Sequence, residues 1–205
     1  MQSRSRGLVV LAAAVALALS ACSTTTSQAP EGSTVELQAD YPAYDTATLF
    51  EEATLIVEGT ALATEATVLT PRYEGDTPEE NPLLGLSEEE IRRAMAQDEG
   101  IPATAVTFRV DAVHQGSVEP GDEITVIQTG GVVDGVTYLA VHEPLLVTGE
   151  SYLLFVADGF DGAFAILGGS AGTYLSSGNG VFTAVNPEAA PSAGFTLAEV
   201  NSLSE

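Results

Sequence analysis

The residue pattern with the clearest catalytic meaning is a serine between glycines. The segment Gly168-Gly169-Ser170-Ala171-Gly172 has the spacing G-x-S-x-G, which in α/β-hydrolases places a nucleophilic serine on a sharp turn between a strand and a helix. The residues that follow are rich in Ser and Gly and have a strand pattern, so the required helix is missing. Both histidines, His114 and His142, precede the serine, whereas in that fold the histidine follows it. A Gly-rich turn between strands is therefore favoured, and a serine hydrolase using Ser170 is the alternative.

Two further patterns contain possible metal ligands. His142-Glu143 offers two adjacent ligands, but a zinc site takes about four, and the chain has only two histidines and one cysteine. Asp158 and Asp161 could give oxygen ligands to calcium. They lack the spacing of a calcium loop, however, and each precedes a glycine, which is typical of a hairpin turn. We therefore predict no metal site and no cofactor, with a calcium-dependent surface protein kept as an alternative.

The N-terminal segment has the three-part layout of a secretory signal. Arg4 and Arg6 precede an uncharged, mostly apolar run over residues 7–19, and small residues follow. The run has 13 residues, whereas a helix needs about 20 apolar residues to cross a bilayer. The sequence therefore predicts a signal peptide over residues 1–21.

Leu19, Ser20 and Ala21 directly precede Cys22, the only cysteine of the chain. This pattern resembles the lipobox of bacterial lipoproteins. The resemblance implies cleavage before Cys22, a thioether-linked diacylglycerol on its sulfur, and often acylation of its amino group. Two or three acyl chains hold a domain on a membrane stably, at about 0.8 kcal/mol per buried methylene. We expect a lipid-anchored protein on the extracytoplasmic face of the cell membrane; the alternative is a free secreted protein in which Cys22 is incidental.

The charge of the chain is strongly acidic. It has 6 basic residues, all arginine, against 29 acidic ones, and loss of the signal with its two arginines leaves a net charge of −25. Nucleic-acid binding is excluded as a function, because its affinity comes from basic groups that neutralise phosphates. The expected partners are the membrane, through the lipid anchor, and a protein or envelope component that the sequence does not identify.

The sequence after the signal predicts one domain behind a tether. Residues 22–40 are rich in Ser and Thr and predict a flexible tether. Residues 41–205 are long enough for a single domain with its own core. An acidic helical insertion is expected over residues 71–102, in which Ser87 and Glu90 form a capping box. A second capping box, Thr196 with Glu199, predicts a short C-terminal helix.

The remaining pattern is that of a mainly β protein. Asp45 is placed to cap a short helix that runs to about Ala53. Residues 54–70 are rich in β-branched side chains and predict a long strand with a bulge at Gly59.

Further strands follow at short intervals. Residues 106–111 and 122–128 alternate between apolar and polar and predict a hairpin. The continuous apolar run 152–156 predicts a strand buried on both faces. Many short strands with Gly and Pro turns indicate a sandwich or a barrel.

Several of these segments resemble a recurring pattern of exported bacterial proteins. The segments are Leu55–Thr60, Thr107–Gly116, Gly121–Val126 and Gly149–Phe155, followed by the break at Gly168-Gly169. The first part is also similar to the netrin-like modules of tissue inhibitors of metalloproteinases. That resemblance implies an OB-like (netrin-like) β-barrel with short peripheral helices.

No catalytic residue carries over from this resemblance. The inhibitors chelate zinc through a free N-terminal cysteine and are rich in disulfides, whereas Cys22 is expected to be acylated and lies far from the domain. The expected function is a binding or interaction module whose ligand the sequence does not name.

Overall fold

The computed structural model describes residues 32–70, 73, 75–96, 100–141, 143–159 and 161–204. The described elements in chain order are β1 (Thr34–Leu37), α1 (Thr46–Glu52), β2 (Leu55–Leu69), α2 (Glu88–Met95), β3 (Ile101–Gln115), β4 (Glu123–Thr129), β5 (Gly131–Val133), β6 (Val136–Ala140), β7 (Ser151–Asp158), β8 (Phe164–Ile166), a 3-10 turn (Gly169–Gly172), β9 (Thr173–Ser176), β10 (Val181–Ala184), β11 (Gly194–Thr196) and α3 (Leu197–Leu203). The prediction of a mainly β protein with short helices is confirmed.

The strands form one large and one small sheet. The large sheet has the order β11-β10-β9-β7-β2-β3-β4-β8. Its neighbours are antiparallel except β4 and β8, which are parallel, and β8 also pairs antiparallel with β7. The small sheet has the order β1-β6-β5. The hairpin predicted from residues 106–111 and 122–128 is confirmed, because β3 pairs antiparallel with β4. The long strand predicted over residues 54–70 is β2, which pairs with the other side of β3.

The bulge predicted at Gly59 is confirmed. The register between β2 and β3 shifts between Glu58 and Gly59, and again at two other places along the pair. A Cβ atom at Gly59 would collide with the carbonyl oxygen of Arg109 and with the ring of Phe108. Glycine is therefore required at this bulge, where a side chain would have no room against β3.

Residues 55–57 of β2 and 152–156 of β7 are buried on both faces and separate two hydrophobic cores. Val57 and Leu154 belong to one core, together with Phe108. Ile56 and Phe155 point the other way and belong to the second core. Because successive side chains of a strand alternate between faces, one apolar run serves both cores.

The three α-helices of the described residues begin at the predicted caps. The Asp45 side chain accepts a hydrogen bond from the Thr48 backbone N–H at 2.8 Å. Both predicted capping boxes are present, at α2 and at α3. Hydrogen bonds from the Ser87 side chain and backbone lower the pKa of Glu90, as expected for a carboxylate held in its charged form.

Some features differ from the expectations. Strand β1 lies within the range assigned to the tether and pairs in parallel with β6, about 100 positions later. Strand β3 begins at Ile101, inside the range 71–102 predicted for the insertion. Leu69 at the end of β2 pairs with Ile101, and this pairing brings the two ends of the insertion together. Strand β11 has no counterpart in the sequence prediction. The predicted signal (residues 1–21) and Cys22 lie outside the described residues.

Candidate functional site: a cleft beside the acidic insertion

A cleft of about 780 Å³ lies on the surface of the large sheet. Its walls come from the end of β2, from β4 and β8, and from the turn over residues 158–163, with Met95 of α2 at one side. Its volume falls in the range of small-molecule sites, which is about 300–1,000 Å³.

The alternation of β4 explains why this strand lines the cleft. Ile124 and Val126 are buried in a hydrophobic core. Thr125, Ile127 and Thr129 point to the opposite face of the strand, and all three line the cleft. One face of β4 therefore packs in the core and the other face lines the cleft, and strand pairing fixes the position of these side chains.

The lining combines apolar, hydroxyl and carboxylate groups. Ile127, Met95 and Phe164 contribute apolar surface. Among the described residues of the lining there is no lysine, arginine or histidine. Carboxylates come from Asp158 and Asp161, which are both exposed.

The third carboxylate of the cleft belongs to Glu143, and it affects Tyr41. Burial raises the pKa of the Tyr41 hydroxyl, a hydrogen bond with the Thr129 side chain lowers it, and the charge of Glu143 raises it. The pKa lies above its ordinary value, so the phenol carries its proton at neutral pH. It can therefore donate a hydrogen bond.

Ser170 forms a hydrogen-bonded cluster with Glu143 and Asn186. The hydroxyl of Ser170 donates to Oε1 of Glu143 at 3.1 Å, and the Ser170 backbone N–H donates to Oε2. Nδ2 of Asn186 donates to the Ser170 hydroxyl at 3.3 Å. Ser170 is only 2% exposed. Its hydroxyl therefore contributes to the packing of the turn around Glu143.

The glycines of the G-x-S-x-G segment have a structural explanation. Gly168 and Gly169 both have φ of +58°, a left-handed conformation that favours glycine. A Cβ atom at Gly169 would collide with the Glu143 carboxylate. The turn thus encloses a carboxylate, and it is followed by strand β9 as the sequence predicts.

The histidines lie elsewhere or outside the described part. Nδ1 of His114 is 3.0 Å from Oδ1 of Asn201 in α3. His142 is not among the described residues. The described part of the chain contains no group of three or more histidine, cysteine, aspartate or glutamate side chains placed to hold a metal ion. Asp158 and Asp161 both line the cleft and are exposed.

Replacing Ser170 by alanine tests the role of this cluster in stability. The variant loses the hydroxyl bonds to Glu143 and Asn186, so we expect the free energy of unfolding to fall by about 1–3 kcal/mol. Urea unfolding measures the change. The matched control is Ser177→Ala, because Ser177 is exposed in the β9–β10 loop, and we expect a change within about 0.5 kcal/mol there. Equal effects of the two substitutions would contradict a structural role for Ser170.

Sequence reasoning missed the cleft, although it named the three carboxylate residues of its described lining, Glu143, Asp158 and Asp161. Its lining comes from stretches that lie far apart along the chain, between Tyr41 and Gly169, and only the tertiary structure brings them together. The one local signal was the alternation of β4, in which Thr125 and Thr129 flank Ile127 on the face turned away from the core. The predicted lipidation residue Cys22 and its recognition residues Leu19, Ser20 and Ala21 lie outside the described residues.

No family model matches the chain, and no curated protein matches its sequence. Among the described residues, no helix combines the length and the apolar composition needed to cross a bilayer. The functional proposal therefore depends on the cleft and on the residues around Cys22.

Proposed function

We propose that this protein is a lipid-anchored binding module on the extracytoplasmic face of the cell membrane. The observation that carries the binding role is the cleft of about 780 Å³ on the sheet. The order of Leu19, Ser20, Ala21 and Cys22 behind a short apolar run supports the anchor. A cleft carried on a membrane anchor keeps its ligand near the cell surface.

We further propose that five strands of the large sheet close into an OB-like barrel. Supporting this, β2 pairs with β3, β3 with β4, β4 with β8, β8 with β7, and β7 with β2. These pairings form a ring. With β2, β3, β4, β7 and β8 taken as strands one to five, the order around the ring is one, two, three, five, four, which is the strand order of an OB barrel. The loops also agree with this order. The acidic insertion joins strands one and two of the proposed barrel (β2 and β3), and the turn over 158–163 joins strands four and five (β7 and β8).

The position of the cleft agrees with this assignment. OB folds bind ligands on the face of their second and third strands, between the loop joining strands one and two and the loop joining strands four and five. The cleft lies against β4, the third strand of the proposed barrel. Met95 from the first loop and Asp158 and Asp161 from the second line it.

The surroundings of Ser170 favour binding over hydrolysis. Its hydroxyl is buried and donates to a carboxylate, whereas a nucleophilic serine is exposed at the top of its turn. The serine lies in a short 3-10 turn that is followed by a strand, so it does not stand at the start of an α-helix. The binding role is therefore preferred to a serine hydrolase.

The test is to fill the cleft without disturbing the core. Thr125 is an exposed strand residue that lines the cleft, so Thr125→Trp should block it. Thr183→Trp is the matched control, since Thr183 is an exposed strand residue of β10 outside the cleft. Each purified protein is incubated with a small-molecule extract of the native cell envelope and examined by native mass spectrometry. We expect the wild type and Thr183→Trp to retain a compound that Thr125→Trp does not; equal retention by all three, or by none, would overturn the proposal.

A further inference from the structure

The geometry points to the Asn179-Gly180 pair as a site at which the chain modifies itself by deamidation. Asn179 is exposed in the loop between β9 and β10 and directly precedes a glycine. The modification converts its side-chain amide into the carboxylate of an aspartate or an isoaspartate. The loop lies outside the cleft, so this inference is independent of the proposed binding function.

The reaction uses the backbone nitrogen of the following residue as its nucleophile. The Gly180 nitrogen gives its proton to water or hydroxide and bonds to Cγ of Asn179. The Cγ–Nδ2 bond breaks, and Nδ2 takes up a proton and leaves as ammonia, so that a five-membered succinimide ring remains. Water then opens the ring at one of its two carbonyl carbons, which gives either aspartate or isoaspartate. Water is the only co-reactant of this sequence.

A hydrogen bond within the loop brings the reacting atoms together. The Val181 backbone N–H donates to Oδ1 of Asn179 at 3.2 Å. Because this bond joins a side chain to the residue two positions later, it folds the side chain over the intervening peptide. Cγ is thereby held beside the Gly180 nitrogen, and the bond also polarises the amide carbonyl. Gly180 has no Cβ to hinder the approach.

Two other asparagines make the same hydrogen bond but cannot close the ring. The backbone N–H two positions later donates to Oδ1 of Asn81 at 3.1 Å and to Oδ1 of Asn186 at 3.2 Å. Each of these two asparagines precedes a proline, whose nitrogen carries no proton. The fourth asparagine, Asn201, lies in α3, where the next backbone N–H is bonded within the helix. The residue that follows therefore confines the reaction to Asn179.

Isoaspartate in this loop is expected to weaken the attachment of α3. It adds one carbon to the backbone between residue 179 and Gly180, whereas aspartate leaves the backbone length unchanged. The Gly180 carbonyl oxygen accepts a hydrogen bond at 2.8 Å from Leu197, the first residue of α3. In the same loop the Ser177 N–H donates to the Val181 carbonyl oxygen at 3.1 Å. A longer backbone between these contacts displaces them, so the C-terminal helix is held less firmly.

The experiment incubates the purified chain in mildly alkaline buffer and compares its peptides with those of protein kept frozen. Chymotrypsin releases residues 176–182, a peptide in which Asn179 is the only asparagine. We expect this peptide to gain one mass unit and to become a substrate for an isoaspartyl methyltransferase. The peptides that contain Asn81, Asn186 and Asn201 are internal controls and should keep their mass.

Two variants separate the reaction from its structural consequence. Asn179→Gln should stop the mass gain, because the longer side chain would have to close a less favourable six-membered ring. Freshly prepared Asn179→Asp has the new charge at constant backbone length and should melt at the wild-type temperature. The incubated wild type should melt lower, and the incubated Asn179→Gln chain, which controls for the incubation, should be unchanged.

The outcomes that contradict the inference are equally specific. A peptide 176–182 of constant mass, or an equal mass gain in a control peptide, would overturn the deamidation site. If the incubated wild type gained the mass unit but melted like Asn179→Asp, the effect on α3 would be overturned.

Discussion

Replacing Cys22 by serine is expected to abolish membrane anchoring through lipid. The hydroxyl of serine cannot form the thioether that the lipobox resemblance implies for Cys22. We expect the wild-type chain to partition into the detergent phase of a Triton X-114 separation, and the mature Cys22→Ser chain to remain in the aqueous phase. Intact-mass analysis should show diacylglycerol on the wild type and none on the variant.

The expected effect is large because acyl chains bind membranes through many methylene groups. Each buried methylene contributes about 0.8 kcal/mol, so one chain gives reversible binding and two give stable anchoring. Ser23→Ala is the control, since it changes the neighbouring residue and leaves the sulfur in place. A wild-type protein with an unmodified thiol, or with a mature start at another residue, would contradict the anchor.

The second prediction with a large effect concerns the core between the sheet and its helices. Phe155 is fully buried on β7, and its ring centroid lies 4.8 Å from that of Phe50 in α1 and 5.8 Å from that of Tyr174 in β9. Phe155→Ala would leave a cavity that these neighbours cannot fill. We expect the free energy of unfolding to fall by about 3–5 kcal/mol.

The measurement is urea unfolding followed by circular dichroism. Because typical domains are stable by only about 5–15 kcal/mol, Phe155→Ala could leave too little folded protein to measure. Phe155→Leu is then used, which keeps part of the volume and should lower the stability by a smaller amount. Val181→Ala on β10 is the control, since Val181 is 42% exposed. If Phe155→Leu and Val181→Ala had equal effects, the packing of this core would be contradicted.

Features that depend on neighbouring residues could be predicted from the sequence. The cap of α1 at Asp45 and the capping boxes of α2 and α3 use hydrogen bonds between residues three positions apart, so the pattern is visible locally. The D-G turn between β5 and β6 is equally local, with φ of +48° at Asp134 and +76° at Gly135. The buried strand β7 was predicted because its apolar run is continuous.

The structural role of the G-x-S-x-G segment could be predicted only in part from the sequence. The sequence favoured a turn over a nucleophile, because the following residues have a strand pattern. It could not indicate that Glu143, 27 positions earlier, fills the turn and accepts two hydrogen bonds from Ser170. Nothing in the order of residues links a carboxylate to a backbone N–H at that distance.

The sequence by itself determined the local elements of this protein: its helix caps, its turns and its alternating strands. The tertiary structure decided which strands pair, including β1 with β6 and β8 with both β4 and β7. It also decided that the insertion and the turn over 158–163 meet at one cleft. The physical reason is that caps and turns are satisfied within a few residues, whereas a strand's backbone groups can be satisfied by any other strand. Only the packing of the whole chain selects among those partners.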